Sequence, residues 1–180
     1  MSQEQSNTMH WHILHVRAHE EEEIAQVINQ NQGLEAFVPK LVRIIKRNGV
    51  STHERKRLFP NYVFIKSSLN TKEFYHYIQN ELRPLVEYFR VLKYKDIELE
   101  TLSESEKHYL SQFLDQDYEL KVSEGFIVGK SVVITQGPLM GLESTIVYID
   151  RHKRVADISL KMFGEDKIIR VGLEILHKQP

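Results

Sequence analysis

Apolar and polar positions change period several times along the chain, and each change marks an element. In HWHILHVR (residues 10–17), Trp11 and Ile13 share one parity and Leu14 and Val16 the other, which predicts a strand covered at least in part on both faces. Glu20 to Glu23 then put carboxylates where a helix N-terminus favours them, and Ile24, Val27 and Ile28 recur on one helical face until NQNQG at 29–33 stops the helix. A second strand, Leu34 to Ile45, leads to Asn48-Gly49, a dipeptide suited to a tight type I′ turn, and the chain returns through Val50 to Leu58. In LFPNYVFI, Pro60 presets φ and Asn61 tolerates the left-handed region, so a bend feeds a strand from Tyr62 to Lys66. Asn70 with Glu73 forms a capping-box pattern ahead of Phe74, Tyr77 and Ile78. Leu85 to Tyr94 is strand-like, and Ser103 with Glu106 repeats the cap pattern before the apolar stripe Tyr109, Leu110, Phe113 and Leu114.

Beyond Leu114 the pattern breaks. DQDYELKVSEG is acidic and aperiodic, which predicts a linker over 115–124 between a mixed domain at 9–114 and a second domain at 125–178. The second domain holds only short β-type runs, Phe126 to Ile134, Ser144 to Ile149, Val155 to Met162 and Ile168 to Val171. Gly137-Pro138, Gly141, the 150–154 turn and Gly164 separate them, a spacing that suits a small barrel of about five strands. The fold class expected is therefore α+β, a mixed domain with an antiparallel sheet followed by a small β-barrel.

Composition narrows the chemistry. The 180 residues are 41% hydrophobic and 27% charged, enough for one ordinary core and a smaller second one. No window offers the ~20 apolar residues of a membrane span, residues 1–10 are polar rather than a signal peptide, and there is no cysteine, so a cytoplasmic monomer is expected. The net charge of −1 hides a segregation: residues 40–57 carry seven Lys/Arg against one acid, while residues 1–39 carry one against six. Those seven, Lys40, Arg43, Lys46, Arg47, Arg55, Lys56 and Arg57, all fall on the predicted hairpin, as a solvated face or as a phosphate-binding one. His10, His12, His15 and His19 lack a matching carboxylate or cysteine motif, and no phosphate loop, dinucleotide fingerprint or nucleophile elbow occurs. An enzyme, a metal site and a cofactor are not expected.

LFPNYVFI resembles the hallmark segment of the N-terminal domain of NusG-family transcription elongation factors, and VITQGPLMGLESTIVYID resembles that family's KOW motif; the likeness spans about residues 9–178. General members usually have Gly where Asn61 stands, whereas operon-specific, RfaH-like paralogs have FPNY, and the KOW glycine expected near Ser144 is absent. The RHKR turn, MFG and VGLEIL are most like the LoaP antiterminator branch. The resemblance implies an NGN α/β sandwich followed by an SH3-like KOW barrel, and antitermination on selected long operons. It implies that Trp11, Phe59, Tyr62 and Phe64 receive the clamp helices of RNA polymerase, although strand aromatics are also ordinary core. It implies that the hairpin cations lie near the non-template DNA strand. In the barrel, Lys130, Arg151, His152, Lys153, Arg154, Lys161 and Arg170 would bind a hairpin in the nascent leader RNA, with a solubilising turn as the plain alternative. Leu139, Leu142 and Phe163 occupy places where the general factor's barrel meets a ribosomal protein or a termination factor. A general elongation factor, and a KOW-type RNA-binding or ribosome-associated protein without polymerase contact, are the other two readings.

Overall fold

The computed structural model describes residues 8–82 and 99–179, so the expected strand at Leu85–Tyr94 lies outside the described residues. Contacts divide these residues into two compact units: those up to 38 with 59–103, and 39–58 with those from 104 onward. The expected division at 115–124 follows the chain, whereas the contacts group the cationic hairpin with the C-terminal strands.

In the first unit, β1 (His10–His15), β2 (Leu34–Phe37), β5 (Tyr62–Ser67) and β6 (Leu99–Thr101) form one sheet in the order β2-β5-β1-β6, with every pairing antiparallel. Helices α1 (Glu21–Asn29) and α2 (Thr71–Asn80) supply Ile24, Ala25, Ile28, Phe74 and Ile78 to a core shared with Leu14, Val16, Ala36, Val38, Val63 and Ile65 of the sheet side. The period-2 alternation thus assigns one face of the sheet to the helices. α1 begins behind Glu20 with three carboxylates in its first turn. α2 carries the capping box expected of it: the Asn70 side chain accepts from Lys72 and Glu73 N–H, and Glu73 accepts from Asn70 N–H.

In the second unit, β3 (Lys40–Arg47) and β4 (Val50–Arg57) form the hairpin, and Asn48 and Gly49 both have positive φ (49° and 83°) as a type I′ turn requires. The single strand expected from Leu34 to Ile45 is broken after Phe37, and Pro39, which has no N–H to donate, lies in the gap. Its two halves enter different sheets, β3 pairing with β4 and with β7 (Glu119–Leu120). The expected linker is thus built into a sheet, with Glu119 and Leu120 buried and a parallel register of Lys40 to Glu119 and Leu41 to Leu120.

Helix α3 (Glu104–Phe113) is followed by β8 (Ser123–Val128), β9 (Ser131–Gln136), β10 (Ile146–Asp150), β11 (Val155–Met162) and β12 (Glu165–Gln179). They form a five-stranded sheet ordered β10-β11-β12-β8-β9, the small β domain expected at the C-terminus. The apolar run at 126–134 is two strands, turned at Gly129-Lys130. β12 packs against β3, and Gly172 permits the approach: a Cβ there would stand 2.8 Å from the Val42 carbonyl oxygen.

Candidate functional site

On the sheet face opposite α1 and α2, the register sets Ile13 beside Phe64, His15 beside Tyr62 and Phe37 beside Phe64. Trp11 meets Phe37 edge-on at 5.5 Å between centroids, Phe37 stacks on Phe64 at 5.6 Å, and Phe59 lies 5.7 Å from Phe64. The Lys66 ammonium sits 4.9 Å above the Trp11 ring and 5.4 Å above Phe37. Three of the four aromatics predicted from sequence therefore form one cluster, Trp11 and Phe64 directly on Phe37 and Phe59 on Phe64, while Tyr62 lies on the same sheet face beside His15; Phe37 is the member that sequence reading missed. Its signal was the alternation Leu34, Ala36, Val38 against Phe37, hidden by treating 34–45 as one strand. Trp11, Phe59 and Phe64 are buried, while Tyr62 is half-buried and lies beside His15.

The bend between Leu58 and Tyr62 is fixed from two sides. Asn61 has φ of 72°, its carbonyl accepts from Val16 N–H at 2.7 Å, and its N–H donates to Glu21 Oε1 at 2.9 Å. Glu21, read from sequence only as part of a helix start, is a buried carboxylate that holds this corner.

In the hairpin, cross-strand partners share a face, so the seven cations split. Arg43, Arg47 and Lys56 fall on one face with Glu54, whose carboxylate receives them at 3.2, 3.9 and 3.3 Å. Partial desolvation would raise the Glu54 pKa, but hydrogen bonds and charge from Lys56 and Arg43 together hold it below the usual carboxylate range. Lys40, Lys46, Arg55 and Arg57 fall on the other face, where Arg55 Nε donates to the buried Glu119 at 2.5 Å. Counter-charge therefore comes from Glu54 within the hairpin and from Glu119 of β7, and Lys46 makes no ion pair among the described residues.

The structure brings part of this hairpin and part of the predicted barrel cluster to one place. A cleft of about 650 Å³ is lined by Arg43, Ile44, Ile45 and Lys46 of β3, the whole 151–154 turn, Val155 and Arg170. Six of its ten lining residues are Lys or Arg, and none is acidic. The balancing carboxylates stand outside the lining. Asp150 meets Lys153 at 3.5 Å, Glu174 meets Arg154 at 3.6 Å, and Asp157 accepts two bonds from Arg170 at 2.7 and 2.8 Å. The paired guanidinium keeps the Asp157 carboxyl below its ordinary range, and Arg170 is raised in turn. Arg154 Nη1 also donates to Ser51 Oγ at 3.3 Å, a direct tie between turn and hairpin. Lys130, in the β8–β9 turn, and Lys161, exposed on β11, do not line this cleft.

Comparison with known proteins bears on the whole arrangement. Residues 9–93 match a family model described as "Transcription termination factor nusG". By that match residues 9–93 of the chain are similar to the NusG family. Proteins named "Transcription termination/antitermination protein NusG" from Rickettsia felis and Rickettsia prowazekii are each 26% identical to it, over 97% and 96% of this chain and 92% of their own length. The Rickettsia bellii protein of that name is 26% identical over 99% of this chain and 94% of its own.

The resemblance implied apolar contacts from the C-terminal strands, at Leu139, Leu142 and Phe163. Leu139 cannot serve as it stands, being fully buried with its N–H on Ser123 Oγ at 3.0 Å. Leu142 and Phe163 are half-buried, and Phe163 N–H donates to Glu106 Oε1 at 2.6 Å while Lys167 stands 5.4 Å over its ring. The exposed apolar side chains of these C-terminal strands and turns are instead Met140, Val147, Tyr148 and Ile168, among others. Of the four predicted histidines, His12 lies in the core, stacked at 4.2 Å on Phe74, with Nε2 donating to Leu69 carbonyl and Nδ1 accepting from Thr101 Oγ1, both at 2.9 Å. Burial above all, with a smaller effect from His10, lowers its pKa to about 4 against the opposing Leu69 bond. No group of three or more potential metal ligands occurs among the described residues, and no described helix is long and apolar enough to cross a membrane.

Proposed function

We propose that this chain is a transcription elongation factor that binds RNA polymerase and nucleic acid and promotes transcription through terminators. The observation that carries the reading is the aromatic face of the N-terminal sheet, which lies within the segment matched to the NusG family. The relatives' printed function, termination and antitermination, supports it over nearly the whole chain. In this reading Tyr62, with Trp11, Phe37, Phe59 and Phe64 behind it, receives the clamp helices of the polymerase, since interface hot spots favour aromatics. The hairpin cations neutralise phosphates of the non-template strand, and the 151–154 turn takes the backbone of a leader RNA. Cellular placement follows the polymerase, in the cytoplasm, and the two-part division of labour is that of an NGN and a KOW domain. Leu142 and Phe163 would take up a ribosomal protein or termination factor.

A finer assignment, to a specialised paralog of LoaP or RfaH type acting on selected long operons, is favoured by Asn61. It holds the left-handed conformation at the FPNY corner where general members use Gly. The test is transcription in vitro through a terminator, with and without the chain and a leader RNA. Readthrough that rises only when the leader is present supports the specialised role, and readthrough independent of any leader supports the general one. Capture of core polymerase separates both from a KOW-type RNA-binding protein. Tyr62→Ala should fold yet lose capture, and a folded variant with undiminished capture rejects the aromatic face as the polymerase site.

A further inference from the structure

From the cleft between β3 and the 151–154 turn we infer that hairpin and turn form one binding site for a single phosphodiester backbone, so that RNA and DNA occupy it one at a time. This rests on the nucleic-acid-binding role proposed above but departs from giving each basic cluster its own strand.

The cleft falls within the range of ~300–1,000 Å³ of small-molecule sites, but its wall is unlike theirs, which are mostly apolar. Six cationic side chains with no acid among the lining residues suit a polyanion. Two of the six, Lys46 and Arg151, are exposed and make no ion pair among the described residues, so phosphate competes with no carboxylate for them. They come from the two different clusters. Arg43 adds a second observation: Nη2 is held by Glu54, but Nε is buried without a hydrogen-bond partner. A small turn of that guanidinium toward a phosphate in the cleft would satisfy the donor. Ser51 and Arg154 are already hydrogen-bonded across hairpin and turn, and Gly172 lets β12 close on β3, so the two halves are held together without ligand. Preformed cationic walls favour a strand that spans both over two strands that each use half.

The probes are a fluorescent RNA stem-loop and a single-stranded DNA of equal length, titrated separately and together onto the full chain across a salt series. RNA and DNA are expected to displace one another at one-to-one stoichiometry. Lys46→Gln and Arg151→Gln should each weaken both ligands and make the slope of log K against log salt shallower by about 0.7–0.9, one phosphate contact each. Both positions are exposed, so folding should persist, and the competition experiment needs no variant at all. Simultaneous binding of RNA and DNA overturns the inference. So does a pattern in which Lys46→Gln affects only DNA and Arg151→Gln only RNA, or an unaltered chain that binds neither at low salt. Polymerase capture is read in parallel: if capture persists while RNA and DNA bind together, the shared site falls and the elongation-factor reading stands. If capture fails while the two compete, the reverse holds.

Discussion

Single residues in this chain do work that their neighbours in sequence do not announce. Asn61 supplies a left-handed turn at a modest backbone cost, about 1–2 kcal/mol for a residue other than glycine, and Glu21 and Val16 hold it there. Its turn role was legible from Pro-Asn; the Glu21 bond was not, because forty residues separate the partners. His12 makes a sharper claim. Its folded pKa, about 4, lies below the ordinary 6.5, so the unfolded chain binds more protons between those values and stability must fall as pH drops. Above pH 6.5 the contribution is intact; by pH 5 roughly 2 kcal/mol is lost, and below pH 4 the loss levels off. Urea midpoints at pH 7.5 and 5 should show that drop, and His12→Gln should show a smaller one. An equal drop in both would mean that groups other than His12 cause the acid sensitivity.

At the scale of elements, local chemistry was readable and pairing was not. The hairpin turn, the capping box and the apolar stripes of α1, α2 and α3 rest on residues within one or two turns of each other, and each stands where the pattern put it. The break at Pro39 could have been read from the missing N–H. That β3 would then pair in parallel with Glu119-Leu120 could not, since such pairing is non-local and the partner is two residues long. The same limit applies to the cations: their number was plain, but only the register shows three of them gathered on Glu54. Removing that counter-charge should strengthen binding to nucleic acid. Glu54→Gln keeps the side chain's shape but removes its charge and replaces one acceptor oxygen by a donor NH2, which frees Arg43, Arg47 and Lys56. Affinity for single-stranded DNA should rise, and the salt slope should steepen by about one or more. An unchanged slope would mean that these three cations do not reach phosphate even when released.

For the molecule as a whole, the decisive feature is that the second unit is assembled from separate stretches of chain. A domain cut out at the boundary read from composition, near residue 125, keeps all of the five-stranded sheet except the first two residues of β8. It loses the hairpin, α3 and β7 that cluster with it. If the packing of β12 on β3 is part of its stability, the fragment 123–179, which keeps the sheet entire, should unfold earlier than the same residues do in the full chain. Uncovering even one or two large apolar side chains costs about 2–4 kcal/mol, and with a slope near 1 kcal/mol/M for so small a domain the urea midpoint should fall by at least roughly 1 M. Amide hydrogen exchange at Val171 and Leu173, both fully buried, reports the same comparison residue by residue. Throughout, chemical shifts over 126–171 should remain those of strands, because β-branched residues and tight turns dominate that stretch. A fragment with the full chain's midpoint and protection would show the β domain to be self-sufficient. The hairpin would then be free to leave it, and the cleft they line would be one state of the protein rather than a fixed part of its architecture.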